Sequence, residues 1–312
     1  MIATVTLNPS LDEWIQLPSL QLGQLNRAQW GGRYPGGKGI NVSRVVCELG
    51  GRTIAYGLAG GDDGMILREL MNARAIPHEF VTIAGSTRNN YKIRIEHPKS
   101  FTEVNTAGPT VSATHTQALQ RRILQRRPRP ACVALSGSLP PGAPSTIYQR
   151  WIRVLRRVGI PTILDASGAA LREGLRSRPW CIKPNRQEAE ELLRSRLTQT
   201  KHCIHAVRQL LTYGPELVIL SLGREGALMA LAAAPGVWMA IPPAVKVESA
   251  VGAGDSLVGG FLVGWSRQQP LPEAFRLGAA CGTAAAMTGG TELCRRADVE
   301  RLVARVRIKR VA

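Results

Sequence analysis

Val251-Gly252-Ala253-Gly254-Asp255-Ser256 sets a carboxylate behind three consecutive small residues and ahead of an apolar run over 257–265. Small residues at a helix N-terminus leave backbone N–H groups free to hold an anion, and the helix dipole adds to the attraction. A carboxylate is out of place in a site that only binds anions. It fits if Asp255 takes a proton from an alcohol while the amides of Gly252, Ala253 and Gly254 hold the phosphoryl group that the alcohol attacks. The plainer alternative is an acidic first-turn residue favoured by the dipole. Both readings stay open on these residues alone.

Five further stretches have chemistry in their residue types. In Gly36-Gly37-Lys38-Gly39-Ile40-Asn41, glycines around a lysine let the backbone approach a ligand at the start of a helix. The spacing is not that of a Walker A loop, and a tight turn is the simpler alternative. In Lys183-Pro184-Asn185-Arg186-Gln187-Glu188, Asn185 and Glu188 can organise Mg²⁺ through water. The same spacing also makes an Asn cap with a capping-box Glu, and by spacing alone that alternative is favoured. Ser221-Leu222-Gly223-Arg224-Glu225-Gly226 is a glycine-rich turn that can run beside a nucleotide or simply join two strands. Asn8-Pro9-Ser10-Leu11-Asp12 and the small-residue loop from Ser136 through Ser138 to Gly142 each follow an apolar run. They read as post-strand loops, either functional or merely solvated.

The elements that must position these loops alternate. Apolar runs over 2–7, 53–58, 131–135, 161–164 and 217–220 read as buried strands, with helical patterns over 39–49, 65–73, 145–158 and 187–193. This predicts an α/β protein with a mostly parallel sheet covered by helices on both faces, and a ligand beyond the strand C-termini. Residues 13–30 and 90–105 break the rhythm and read as a small antiparallel flap, in which Trp14 and Trp30 pack. His97 to Ser100 turns the chain within it. Asp62-Asp63-Gly64 reads as a helix cap, and His78, His97 and His115 as surface residues. The uncharged stretch 226–245 contains Pro235-Gly236, which reads as the turn of a hairpin between strands 227–231 and 237–241 rather than part of a membrane span.

Composition narrows the classes. The 312 residues, 44% hydrophobic and 20% charged, suit a packed core and exclude wholesale disorder or a disulfide-stapled miniprotein. Six cysteines without a CxxC pair read as reduced core thiols, which with the lack of a leader-like N-terminus predicts a cytoplasmic protein. His202, Cys203 and His205 lack a second ligand pair, so no metal site is expected there. The net charge of +18 fits either a nucleic-acid binder or a cationic site for phosphorylated small molecules. Aromatic content of 5% argues against base-stacking platforms, so a non-catalytic nucleic-acid binder is the less favoured class.

Together and in this order, these motifs resemble the PfkB (ribokinase-like) carbohydrate kinase family over nearly the whole chain. Residues 36–41 look like its first signature and 251–255 like its second. Thr87-Arg88-Asn89-Asn90 and Thr102-Glu103-Val104-Asn105 resemble its phosphosugar branch. The resemblance implies one ribokinase-like domain over 1–312 with a β lid from about 13–30 and 88–105. It implies ATP-dependent phosphorylation of a ketohexose phosphate, with fructose 1-phosphate expected and fructose 6-phosphate or tagatose 6-phosphate as alternatives. Asp255 would be the base, and Gly252, Ala253 and Gly254 the anion hole. Asp12, Gly37, Lys38, Asn41 and Ser138 would hold the sugar. Arg88, with Lys38 and Arg27, would meet its phosphate. Lys183, Asn185, Ser221, Gly223 and Gly226 would line the nucleotide site, with Glu188 and Asn185 near Mg²⁺ through water. Some relatives bind a monovalent cation such as K⁺ near the segment matching 290–294, where Glu292 here is acidic. A homodimer through the lid is expected, because exposed strand edges need cover.

Overall fold

In the computed structural model, which describes residues 1–312, the chain opens with β1 (Ile2–Thr6), β2 (Ser10–Leu17) and β3 (Gln29–Gly36). Then come α1 (Lys38–Glu48), β4 (Thr53–Ala59), α2 (Gly61–Ala73), β5 (His78–Thr82), β6 (Arg88–Ile95) and β7 (Ser100–Asn105). The middle of the chain forms α3 (Ala113–Gln125), β8 (Cys132–Ser136), α4 (Ile147–Arg157), β9 (Thr162–Asp165), α5 (Gly168–Leu175), β10 (Cys181–Ile182) and α6 (Arg186–Leu193). It closes with α7 (Thr200–Thr212), β11 (Leu217–Ser221), β12 (Ala227–Leu231), β13 (Ala234–Ile241), α8 (Ala253–Ser266), α9 (Leu271–Ala286), α10 (Arg296–Val303) and β14 (Arg307–Arg310).

Ten strands make one sheet in the order β14-β13-β12-β11-β10-β9-β8-β1-β4-β5. Neighbours from β5 to β11 are parallel, and β12, β13 and β14 extend the sheet antiparallel. Side chains alternate between two cores. Ala3, Val5, Val133 and Leu135 pack under α3, α4, α5 and α7, while Ile2, Cys132 and Ala134 pack under α1, α8, α9 and α10. Burial on both faces explains the nearly unbroken apolar runs. The α/β sheet with helices on both faces is the predicted fold class. From β1 the chain steps to β4 and β5, then returns to the other flank of β1 to lay down β8 through β11. The order reverses between β1 and β8, the kind of point beyond whose strand C-termini open α/β sheets bind ligands.

A second sheet has the order β3-β2-β6-β7. It is not purely antiparallel, as the sequence had suggested: β2 and β6 pair in parallel, Ser10 opposite Arg88. The reason is topological. Each leaves the same edge of the large sheet, one after β1 and the other after β5, so both run the same way. Its strand β3 also runs to Gly36, beyond the expected limit, in a Gly- and Pro-containing segment with no clear alternation.

Several local expectations are corrected. The β12–β13 turn falls at Ala232-Ala233, and Pro235 lies inside β13. Pro235 precedes the Trp238–Ile241 stretch that β14 pairs, so its missing N–H costs no bond on that side. Asp62 and Asp63 lie within the first turn of α2, whose cap is Gly60. Trp30 is 67% exposed on the edge strand β3 instead of packed, its indole N–H reaching Glu13. His78 and His115 are half-buried, one bonded to the Ile76 carbonyl and the other in the capping box of α3. No helix is long and apolar enough to cross a membrane.

Candidate active site

Four charged side chains converge at the C-terminal edge of the large sheet. Lys38 begins α1, Asp165 ends β9, Lys183 follows β10, and Asp255 sits in the first turn of α8. Lys38 Nζ donates to Asp165 Oδ1 at 2.9 Å, and Lys183 Nζ lies 3.4 Å from the same oxygen. Lys38 Nζ is also 3.7 Å from Glu188 Oε1. Asp165 is fully buried, and its Oδ2 has no hydrogen-bond partner. Asn41 Nδ2 donates to Asp255 Oδ2 at 2.8 Å.

The two buried carboxyls are tuned in opposite directions. Burial pushes the Asp165 carboxyl up, but the charges and hydrogen bonds of Lys183 and Lys38 overcome it and hold the group below the usual carboxylate range. Burial, reinforced by the Asp165 charge, raises Asp255 to about 6, against the pull of Lys38, the Asn41 hydrogen bond and Lys183. Burial also works against the Lys38 charge, but Asp165, Glu188 and Asp255 outweigh it and its pKa is raised. The cluster therefore sets one carboxylate held by lysine charges against a second that is basic enough to take a proton.

Beside Asp255 the N-terminus of α8 has no side-chain cap, because Gly252 stands in the capping position with φ 73°. The first-turn N–H groups have no partner within the helix. A Cβ on Gly254 would lie 3.4 Å from Lys183 Nζ, so the lysine stands over the same amides. Gly252 is required twice. Its backbone is left-handed, and a Cβ there would sit 2.4 Å from Leu293 Cδ2. Gly252→Ala should displace this turn and lower kcat at least tenfold, a change of about 1.4 kcal/mol in barrier, with the melting temperature reporting any wider damage. Unchanged turnover would separate the turn from the chemistry.

The remaining predicted residues fall into three groups. Asp12 is buried in β2, its Oδ1 accepting from Ser10 at 2.8 Å and from Asn90 at 3.2 Å, and its charge acts on Arg88. Arg88 opens β6, donates to the Thr106 carbonyl at 3.1 Å, and keeps a buried Nε without a partner. Gly37 (φ 112°) turns the chain into α1 above Thr6, and exposed Ser138 is tied to Asn8 at 3.5 Å. Asn41 is occupied at both ends of its amide, by Asp255 and by Arg44. Asn185 and Glu188 do form the capping box, each side chain accepting from the other's backbone N–H at 2.8 Å. Ser221 bridges to Asn185, and Gly223 and Gly226 frame the turn after β11. Arg27 lies exposed between β2 and β3.

Sequence reasoning missed Asp165, Asn90 and Arg44. Asp165 did carry a signal, as the charged end of an apolar strand at the edge where ligands bind. Asn90 stood only as a member of the Thr87–Asn90 motif with no role given, and Arg44 had no signal, since the partners of both are set by tertiary contacts. No group of three or more His, Cys, Asp or Glu side chains that could hold a metal ion is assembled. An oxygen each of Asn185 and Glu188 is committed to the cap. These residues fit a hydrated Mg²⁺ met through water, not a cation caged by protein ligands.

Fold and site together define an α/β phosphotransferase-type scaffold with a buried carboxyl beside uncapped helix amides at the C-terminal edge of the sheet. The pfkB family carbohydrate kinase profile matches residues 5–298, and the chain belongs to that family. It is 35% identical over 311 residues, all of both chains, to 1-phosphofructokinase of Bacillus subtilis. It is also 35% identical over 301 residues, 96% of this chain and 88% of the relative, to ATP-dependent 6-phosphofructokinase isozyme 2 of Mycobacterium tuberculosis. Its backbone resembles phosphofructokinase-2 from Escherichia coli in complex with potassium, with a TM-score of 0.92 and 32% identity over 97% of this chain and 98% of that one.

Proposed function

We propose that this protein is an ATP-dependent phosphosugar kinase converting fructose 1-phosphate and ATP to fructose 1,6-bisphosphate and ADP. The observation that carries this reading is a buried carboxyl poised near pH 6 beside uncapped helix amides. Asp255 accepts the proton of the sugar 6-hydroxyl as its oxygen bonds to the γ-phosphorus and the bond to the leaving ADP oxygen breaks. The Gly252–Gly254 turn takes up charge on the transferred group, and Lys183 stands over it. Lys38 lies between this turn and the sugar side, its charge secured by Asp165. Mg²⁺, when bound through water near Glu188 and Asn185, would neutralise the nucleotide phosphates. Ser221, Gly223 and Gly226 would line the path of the nucleotide.

Arg88 would meet the phosphate already on the sugar. It lines a cavity of about 530 Å³ with Ser86, Thr106 and Thr110, and its buried Nε is free to donate. A planar guanidinium matches a phosphate better than an ammonium does. Asp12, held rigid by Ser10 and Asn90, would accept from sugar hydroxyls. Exposed Leu22, Leu25, Trp30 and Phe101 on and beside the small sheet would be covered by a second copy in a homodimer.

Two measurements test the reading. ADP release with Mg²⁺-ATP is followed across fructose 1-phosphate, fructose 6-phosphate, tagatose 6-phosphate and fructose. Highest kcat/KM for fructose 1-phosphate is expected. A preference for either 6-phosphate would move the assignment to that substrate, and preference for free fructose would remove the phosphate clamp. Arg88→Ala should raise KM for the sugar phosphate roughly 10- to 100-fold, equivalent to about 1.5–3 kcal/mol, with KM for ATP unchanged. Equal effects on both substrates would refute the role of Arg88.

A further inference from the structure

Arg44 is a guanidinium in the wrong place for a solvated helix residue. It lies on α1 one turn after Asn41, and its side chain is only 7% exposed. Burial lowers its pKa, so its charge is kept there at a cost. Its Nη1 donates to Asn41 Oδ1 at 3.2 Å, with the Pro35 carbonyl at 3.4 Å. Its Nη2 lies 3.8 Å from Oε2 of Glu292, in the connection between α9 and α10. Asn41 in turn donates from Nδ2 to Asp255 at 2.8 Å. Four side chains from α1, α8 and the α9–α10 connection thus form one chain ending on the proposed base.

The chemistry of the middle link gives the chain a purpose. A carboxamide can present either its oxygen or its nitrogen to a neighbour, and rotation by a half turn exchanges them. Arginine donates only and an ionised carboxylate accepts only. With Arg44 on one side, the Asn41 oxygen must face it and the nitrogen must face Asp255. Without that constraint the amide can turn its oxygen towards Asp255 and repel the carboxylate.

We propose that Arg44, held by Glu292, is a positioning residue that locks the Asn41 amide in the orientation that donates to Asp255. This rests on the assignment of Asp255 as the base. The groups facing Asp255 are Asp165 from β9, Lys38 and Asn41 from α1, and Lys183 after β10. Those facing Arg44 are Glu292, Asp12 on β2, Tyr34 on β3 and Arg74 after α2. None of the others touching Asp255 depends on Arg44, so releasing the amide acts on the base through Asn41. A donor lost from the ionised form makes the carboxyl easier to protonate. The acid limb of kcat must then move to higher pH.

The test is the pH dependence of kcat at saturating substrates for the wild type, Arg44→Gln, Arg44→Lys and Glu292→Gln. Glutamine can itself donate or accept, so it does not lock the amide, whereas lysine is again a pure donor. Arg44→Gln should move the acid limb up by about one unit, a roughly tenfold loss below the limb that shrinks above pH 8. Arg44→Lys should restore most of it, and Glu292→Gln should shift it the same way by about two- to threefold in rate. A limb at the wild-type position in Arg44→Gln, or a loss equal at every pH, overturns the proposal. Should Arg44→Gln not fold, the Glu292→Gln profile decides, and an unmoved limb there overturns it. Asp255→Asn runs alongside. If that variant turns over normally, the base assignment falls and the positioning role with it; if it is inactive while the limbs stay put, the positioning role alone falls.

Discussion

Asp255→Asn should lower kcat about 10²- to 10⁴-fold, the span that a positioned general base contributes, while ATP still binds. The same variant should unfold at a higher temperature than the wild type. The folded protein holds this carboxyl at about 6 rather than its ordinary 3.8. A raised carboxyl pKa means that the folded state binds the proton more tightly than the unfolded chain does. The stability it contributes is full below about pH 4 and is lost as pH rises through 6. Near pH 7.5 the ionised group therefore costs roughly 3 kcal/mol, about two units at 1.36 kcal/mol each. Asparagine does not incur that cost. The gap in stability between variant and wild type should open as pH rises above about 4, reach its full size just above 6, and close again in stronger acid. An inactive variant with no gain in stability would mean that Asp255 is not held against its charge. Near-normal turnover would remove it as the base.

Asp165→Asn should do the reverse. This carboxylate is fully buried, yet two ammonium groups share its Oδ1. Removing its charge leaves buried Lys183 and half-buried Lys38 facing each other without a counter-ion, and breaking a buried arrangement of this kind costs about 3–5 kcal/mol. Denaturant titration should show that loss at pH 7. The sign with pH is also opposite. A depressed carboxyl pKa gives stability that is present above the ordinary carboxylate range and is lost as pH falls through the folded value. The deficit of the variant should thus shrink in acid. Activity should fall as well, since Lys38 loses the carboxylate that fixes its side chain. A variant as stable as the wild type at pH 7 would refute the pairing. Two buried aspartates in one cluster thus predict opposite responses to the same substitution, decided by whether cations pair with them.

The chemistry of the site was only partly legible in the residues. The stretch from Gly252 to Asp255 showed an acid beside helix N-terminal amides, because capping and the helix dipole act within one turn, but left a base and a plain first-turn acid both open. Lys38 stood out among its flanking glycines, whereas Lys183 entered only through the family resemblance. The capping box of Asn185 and Glu188 was foreseen as the plainer alternative, and the structure contains it. Asp165 passed unnoticed, since a single acid at a strand end has no neighbour in sequence that explains it. Its lysines come from 127 residues away and from the strand beside it. Asn41 reads as a sugar ligand in its motif, yet its partner lies 214 positions along the chain.

Strands, helices and the α/β class follow from the sequence by itself, because periodicity, small-residue runs and turn chemistry express themselves over a few residues. The parallel pairing of β2 with β6, the exposure of Trp30 and the opposite tuning of Asp165 and Asp255 belong to the tertiary structure. Each depends on which segments the sheet order brings face to face. Charge and burial act through space, so only the folded chain decides which carboxyl is paired and which is left able to take a proton.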